Sequence, residues 1–300
     1  MTMETPRIRI GNQTNADTPA FLPFEFALRH GFDAFEWFSD RGRAGWTEDA
    51  VGPPERERLR HRARQHDVLF SVHAPYTADP TTPPGAEAIL RSIDCAGDLG
   101  AGVVNLHLFP DHPARVFAEA LGPLLVAAAA VGVRLSLENT VRTSPEDCNA
   151  VLAALAALPE AVGRVGLCLD MGHANLFAGT RNDYLAFVDR LAASVPIIHW
   201  HAHENWGEGD RHLTLFTGPA GRDERGIRGL ARRLLRRGFG GSVVLEQWPH
   251  PPDLLVRARE RLARVLGSVQ AELRSAPTGA DLAPESGPVS DGGGQARCRG

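Results

Sequence analysis

Six residues able to bind a cation or move a proton recur along the chain at nearly regular intervals. They are His73, His107, Glu138, Asp170, His201 and Glu246, separated by 34, 31, 32, 31 and 45 residues. Imidazole and carboxylate are the donors that zinc, manganese, cobalt and magnesium take from proteins, and the same groups act as general acids and bases. Each closes a short apolar run: VLFSVH, GVVNLH, VRLSLE, GLCLD, IIHWH and SVVLE. If these runs are parallel strands of one sheet, all six side chains reach the same end of it. Carboxylates crowded together out of water are strongly unfavourable unless a cation shares their site, so the constellation predicts a divalent-metal centre. Three more candidates lie just beyond the strands. His173 follows Asp170 by three residues in CLDMGH, and Asp210 and His212 form a D-x-H pair in GEGDRHLTL; a solvated loop would accommodate that pair without an ion.

Composition removes several alternatives. All 32 basic residues are arginine, which excludes lysine Schiff bases and the lysine of a Walker loop. Cys95, Cys148, Cys168 and Cys298 are scattered and form no CxxC pair, so no disulfide framework or thiolate zinc site is expected, and a reducing cytoplasm fits best. No apolar run is long enough to span a bilayer, and residues 1–13 lack the apolar core of a secretion signal. The net charge of −4 offers nucleic acid or an anionic membrane no overall attraction.

The elements that must position these residues follow from periodicity. Eight strands are predicted to end near Gly11, Glu36, His73, His107, Glu138, Asp170, His201 and Glu246. Helices are expected near 19–30, 54–66, 84–99, 113–131, 145–157, 182–193, 222–238 and 253–273. Prolines near several helix starts, such as Pro53, Pro83, Pro113 and Pro145, occupy positions where a missing N–H matters least. Gly31, Gly100, Gly132 and Gly238 suit left-handed positions after helix ends. Eight such alternations predict one (β/α)8 barrel over residues 1–274, with its strand C-termini on a single rim. A doubly wound sheet is the runner-up, but no GxGxxG follows the first strand, so no nucleotide cofactor is expected. Residues 275–300, rich in Gly, Pro, Ser and Ala, are expected to be a disordered tail.

In order along the chain, VHAPY (72–76), NLHLFP (105–110), LENT (137–140), CLDMGH (168–173), HAHEN (201–205), DRH (210–212) and LEQW (245–248) resemble the xylose isomerase-like TIM-barrel superfamily. The resemblance covers about residues 7–270. That superfamily contains sugar and sugar-phosphate isomerases and epimerases, and also the apurinic-site nuclease endonuclease IV. For an isomerase or epimerase, the resemblance implies one divalent ion (Mn, Zn, Co or Mg) between Glu138, Asp170, His201 and Glu246. Glu138 and Glu246 would be the acid/base pair working through an enediolate. For the nuclease it implies three zinc ions acting on abasic DNA: one on His73, His107 and Glu138, a second on Glu138, Asp170, His201 and Glu246, and a third on His173, Asp210 and His212.

The isomerase reading is the leading one, with a small sugar or sugar phosphate as partner, nucleic acid and membrane not expected, and the oligomeric state open. It makes His73, His107 and His173 candidate substrate contacts. Arg142 or Arg211 would hold a phosphate or carboxylate. Glu36 is either a substrate-binding carboxylate or an interior group tied to an arginine. Trp37, Trp200, Trp206 and Trp248 are either a wall over a sugar ring or packing. The nuclease reading would use Tyr76, Arg41, Arg43 and Trp46 as a DNA-gripping rim. Two departures weigh against it: DRH continues as LTLFTG rather than a shorter glycine-rich segment, and Met171-Gly172 replaces Thr-Cys. The arginine runs at 56–64 and 228–237 read as solvated helix faces. His199 reads as a deeper residue and His203 as an alternative ligand, so the register of HWHAH leaves the choice of His201 open.

Overall fold

The computed structural model describes residues 7–39 and 44–275. The eight expected strands form: β1 (Arg9–Gln13), β2 (Ala34–Phe38), β3 (Leu69–His73), β4 (Val103–His107), β5 (Arg134–Glu138), β6 (Val165–Asp170), β7 (Ile197–Ala202) and β8 (Ser242–Leu245). They pair in parallel in sequence order, and β1 closes the ring on β8 through Arg9↔Ser242 to Asn12↔Leu245. The fold is therefore a TIM barrel.

Outside the ring lie α1 (Leu22–Arg29), α2 (Pro53–Gln65), α3 (Pro83–Leu99), α4 (Ala114–Ala130), α5 (Pro145–Ala156), α6 (Met171–Leu176), α7 (Tyr184–Asp189), α8 (Pro219–Arg222), α9 (Arg225–Arg236) and α10 (Asp253–Ser275). Local chemistry sets their ends. Pro53, Pro83 and Pro145 open α2, α3 and α5, and Ser144 and Asp147 complete a reciprocal capping box at α5. Gly31, Gly100, Gly132 and Gly238 follow α1, α3, α4 and α9 with φ of 68°, 67°, 76° and 79°, the left-handed geometry that glycine adopts without strain. Two expectations are corrected. The helix predicted at 182–193 shrinks to α7, and the one at 222–238 starts later, as α9, with the separate turn α8 ahead of it. α6, missing from the sequence reading, starts directly at the end of β6, because the Asp170 carboxylate caps it by accepting from His173 N–H at 2.7 Å. The expected tail lies outside the described residues apart from Ser275, which ends α10.

Strand alternation sorts the side chains. In β5, Ser136 and Glu138 face the interior while Leu135 and Leu137 pack toward the helices, all nearly inaccessible to solvent. By the same rule Trp37 and Trp200, each next to an inward-facing residue, belong to the outer core. Trp37 packs against Phe24, Phe35 and Trp46 at centroid separations of 5.4, 4.8 and 5.4 Å. Neither Trp37 nor Trp200 walls a sugar site, and Trp46, fully buried, is not a DNA-gripping group. Among the described residues, no helix is long and apolar enough to cross a membrane.

Candidate metal centre

The C-terminal rim gathers the predicted donors into overlapping groups, three of which correspond to the predicted sets. Glu138, Asp170, His201 and Glu246 each present one donor atom, all within 4.8 Å of one another. His73, His107 and Glu138 form a second group on the same criterion, and His173, His203, Asp210 and His212 a third. Glu138 is shared by the first two. One of its oxygens lies 3.1 Å from His73 Nε2 and 3.2 Å from His201 Nδ1, the other 3.6 Å from His107 Nε2 and 3.3 Å from His173 Nδ1. Asp210 Oδ2 lies 3.2 Å from both His173 Nε2 and His212 Nε2.

Hydrogen bonds from the strand ends hold these groups in place. Asn139 exchanges two bonds of 2.9 Å with the Asp170 backbone, which fixes β5 against β6. Asn105 Nδ2 donates to Glu138 Oε2. His173 Nδ1 donates to Asn139 O at 2.9 Å, and His212 Nδ1 to Glu246 O at 3.0 Å, which leaves the Nε2 atoms facing Asp210. These asparagines were absent from the sequence reading. Each is adjacent to or near a donor, in NLH and LEN, which is the signal that could have found them.

In the central group, burial and the neighbouring charges move the carboxylates in opposite directions. Burial alone would raise Glu138, but the nearby imidazoles of His201, His107 and His173 hold it well below the carboxylate range. Asp170 is likewise pulled down against burial by His173 and His203. Glu246 goes the other way: burial lifts it to about 8, against His201 and with the repulsion of Asp170 and Glu138. Burial pushes His107 down to about 4. His212 rises to about 9, because Asp210 and Glu246 outweigh its burial. Three carboxylates thus share a buried space with His201, which Glu246, Glu138 and Glu36 push well above its ordinary value against burial. The arrangement fits a cation on two further counts. His201 Nδ1 lies within 3.2 Å of Glu138 and 3.1 Å of Glu246 without a well-aligned hydrogen bond to either, and buried Glu246 Oε2 has no partner.

A cavity of about 410 Å3 opens beside Glu246 and His212. Its walls carry hydroxyl and amide groups from Thr14, Thr214, Thr217, Gln13 and Gln247, with Trp248 as an apolar side. Of the four tryptophans weighed as a sugar wall, Trp248 alone lines this cavity, and Trp206 lines another.

Several expected contacts lie elsewhere. Glu36 is fully buried, because β2 continues to Phe38 and leaves Glu36 level with Ser71, below His73. There it accepts from Ser71 Oγ at 2.8 Å and meets His199 and His201 rather than an arginine or the mouth. Arg142 is exposed and engaged by Asp111. Arg211 is exposed between two members of the outer group. His173 has both ring nitrogens engaged, by Asn139 and Asp210, so neither is free for substrate in this arrangement. Tyr76 is exposed on the rim, whereas Arg41 and Arg43 lie outside the described residues.

Comparison with known proteins agrees with this architecture. The protein MJ1311 of Methanocaldococcus jannaschii is 24% identical over 255 residues, which is 75% of this chain and 80% of that one. The TTHB071 protein from Thermus thermophilus, from a structure soaked with ZnCl2, superposes with a TM-score of 0.60 at 23% identity over 87% of this chain and 99% of that one. An L-ribulose 3-epimerase does so with a TM-score of 0.64 at 19% identity, covering 90% and 98% of the two chains. A xylose isomerase domain protein from Planctomyces limnophilus gives 0.65 at 15% identity, covering 89% and 100%. At these identities the likeness to the solved structures is one of fold. The family model described as xylose isomerase-like TIM barrel matches residues 24–265, and the chain belongs to that family.

Proposed function

We propose that the protein is a divalent-metal-dependent isomerase or epimerase of a small sugar or sugar phosphate. The observation that carries this reading is the meeting of two features: the buried donor group of Glu138, Asp170, His201 and Glu246, and a polyol-sized cavity of hydroxyl and amide groups beginning at Glu246. Solved epimerases with the same fold, for L-ribulose and D-psicose, add support.

Those four residues would hold the ion. A bound manganese, zinc, cobalt or magnesium ion would polarise a substrate carbonyl and its neighbouring hydroxyl, acidifying the C–H between them. The remaining chemistry belongs to the chain. Glu138 and Glu246 flank the site; one takes the proton from that C–H and the other returns a proton to the enediolate, with the position of return deciding between isomerisation and epimerisation. Thr214 and the unpartnered Oε1 of Gln247 offer hydrogen bonds to substrate hydroxyls, while Thr14 is held by Phe38, and Trp248 shields one side of the cavity. His73 and His107 border Glu138, and His107, held neutral by burial, can present a nitrogen to a substrate oxygen.

Incubation of metal-loaded protein with a panel of aldoses, ketoses and their phosphates in D2O should show deuterium entering one substrate, and Glu246→Gln should abolish the exchange. A fully loaded protein that exchanges none of them refutes the reading.

One observation favours a second reading, a trinuclear zinc phosphodiesterase acting on abasic DNA: the donors fall into three groups of the kind that activity would use. Cleavage of abasic duplex by protein carrying three zinc ions per chain would establish it. A single ion per chain would remove it.

A further inference from the structure

The resemblance assigns His203 to neither ligand set, yet its ring is wholly buried where the central and outer groups adjoin, and it lies beside the outer donors His173, Asp210 and His212. Its Nε2 lies 3.1 Å from Asp170 Oδ2, and its face stacks on His212 at a centroid separation of 3.9 Å and an interplanar angle of 6°. A carboxylate oxygen can only accept, so Nε2 carries the proton and donates it. The space for this ring exists because residue 172 is glycine. A Cβ there would stand 2.0 Å from His203 Cε1 and 2.5 Å from Nε2, closer than any side chain tolerates.

We infer that His203 is a positioning residue: seated in the gap left by Gly172, it aims the Asp170 carboxylate into the central donor group and ties that carboxylate to the outer loop through His212. Asp170 has one other hydrogen bond on its carboxylate, since His173 Nδ1, 3.4 Å from Oδ2, is turned to Asn139 O. Its Oδ1 accepts from His173 N–H as the cap of α6, at 2.7 Å. A bond to Oδ1 alone would let the carboxylate plane swing, and the His203 N–H on Oδ2 fixes it while leaving a lone pair for an ion. Hydrogen bonds of this kind, from a neighbour to a metal-binding carboxylate, set both its direction and its basicity. Gly172 and His203 therefore work as a pair. A side chain at 172 would evict the imidazole, and without the imidazole the glycine opens onto empty space.

The inference rests on the functional reading above, and its test measures binding rather than turnover. Zinc is titrated into the full chain against a competing chelator, and the zinc equivalent lost in Glu138→Gln and in Asp170→Asn alike marks the central site, because Glu138 also borders the His73/His107 group and Asp170 does not. His203→Ala should weaken that equivalent by about 10- to 100-fold. His203→Gln, whose amide N–H can reach the same oxygen, should recover most of the loss. Gly172→Ala should weaken it to a similar degree, and Gly172→Ala combined with His203→Ala should be no weaker than either alone, since no ring remains to displace. A parent with tight zinc at the central site and an unchanged His203→Ala overturns this inference alone. So does a His203→Gln protein as weak as His203→Ala, which would assign the effect to ring volume. A parent with no zinc at the central site overturns the functional reading itself.

Discussion

Glu36 Oε1 lies 2.9 Å from His201 Nε2, on the ring edge away from Nδ1, which faces Glu138 and Glu246. A fully buried carboxylate thus stands beneath the imidazole that reaches up into the candidate metal centre. Burial would raise Glu36, but His201 and His199 together hold it well below the carboxylate range, so it is an anion within the barrel. Its charge favours the tautomer of His201 with the proton on Nε2 and the lone pair on Nδ1, the form a metal requires.

Glu36→Gln keeps the size of the side chain and removes its charge. Zinc affinity at the central site should fall about 10- to 100-fold, while circular dichroism remains that of the parent. Unchanged affinity would mean that Ser71 and His199 suffice to orient the floor of the barrel.

Glu138 and Glu246 should separate by the kind of damage they report. Glu138 borders both the central and the His73/His107 groups, so Glu138→Gln should lower the total metal content as well as deuterium exchange. Glu246 is the donor that also faces the cavity. Glu246→Asp should keep the ion and lose most of the exchange rate, because its carboxylate is withdrawn by one methylene. Elemental analysis beside exchange rates decides the matter; equal metal loss in both variants would contradict the division.

Trp46 tests the nuclease reading from another direction. It is fully buried and packs on Trp37 at 5.4 Å, so Trp46→Ala should destabilise the fold by about 3–5 kcal/mol, read by urea unfolding. The variant should bind zinc at the central site as the parent does. A loss of DNA binding without loss of stability would instead place Trp46 at a surface.

The eightfold recurrence of an apolar run followed by a helical segment made the barrel legible in the sequence, and His73, Glu138 and Asp170, each ending such a run, marked its rim. Depth within the barrel was not legible. Whether Glu36 faces the mouth or the floor depends on where β2 stops, and that is set by the stagger of its neighbours: Glu36 pairs with Ser71, and Phe38 with His73. HWHAH hid its register for the same reason, since His199, His201 and His203 alternate with Trp200 and Ala202 and only pairing with β6 puts His201 beside Asp170. Gly172 gave no signal of its own, because the ring that needs its missing Cβ comes from a residue 31 positions later. α6 was invisible since its cap, Asp170, also reads as a strand end.

Asp79 joins two rim loops and carries a pH signature apart from the metal groups. Its Oδ1 accepts from Thr81 N–H and Oγ1 at 2.9 and 2.7 Å, and its Oδ2 meets His112 Nε2 at 2.7 Å. Burial would raise this carboxyl, but the bonds from Thr81 and His112 outweigh it, so it titrates below its ordinary value. A carboxylate depressed by folding stabilises the protein above its unfolded-state pKa, and that contribution disappears as pH falls through the folded one. Asp79→Asn should therefore cost about 1 kcal/mol near neutrality, a modest figure because the pair is partly exposed. The difference from the parent should shrink through and below the ordinary carboxylate range. Urea unfolding of both proteins across that range, with chelator present to keep metal binding out of the comparison, gives the measurement. A gap that widens in acid would mean that the protonated carboxyl, rather than the anion, holds the two loops together.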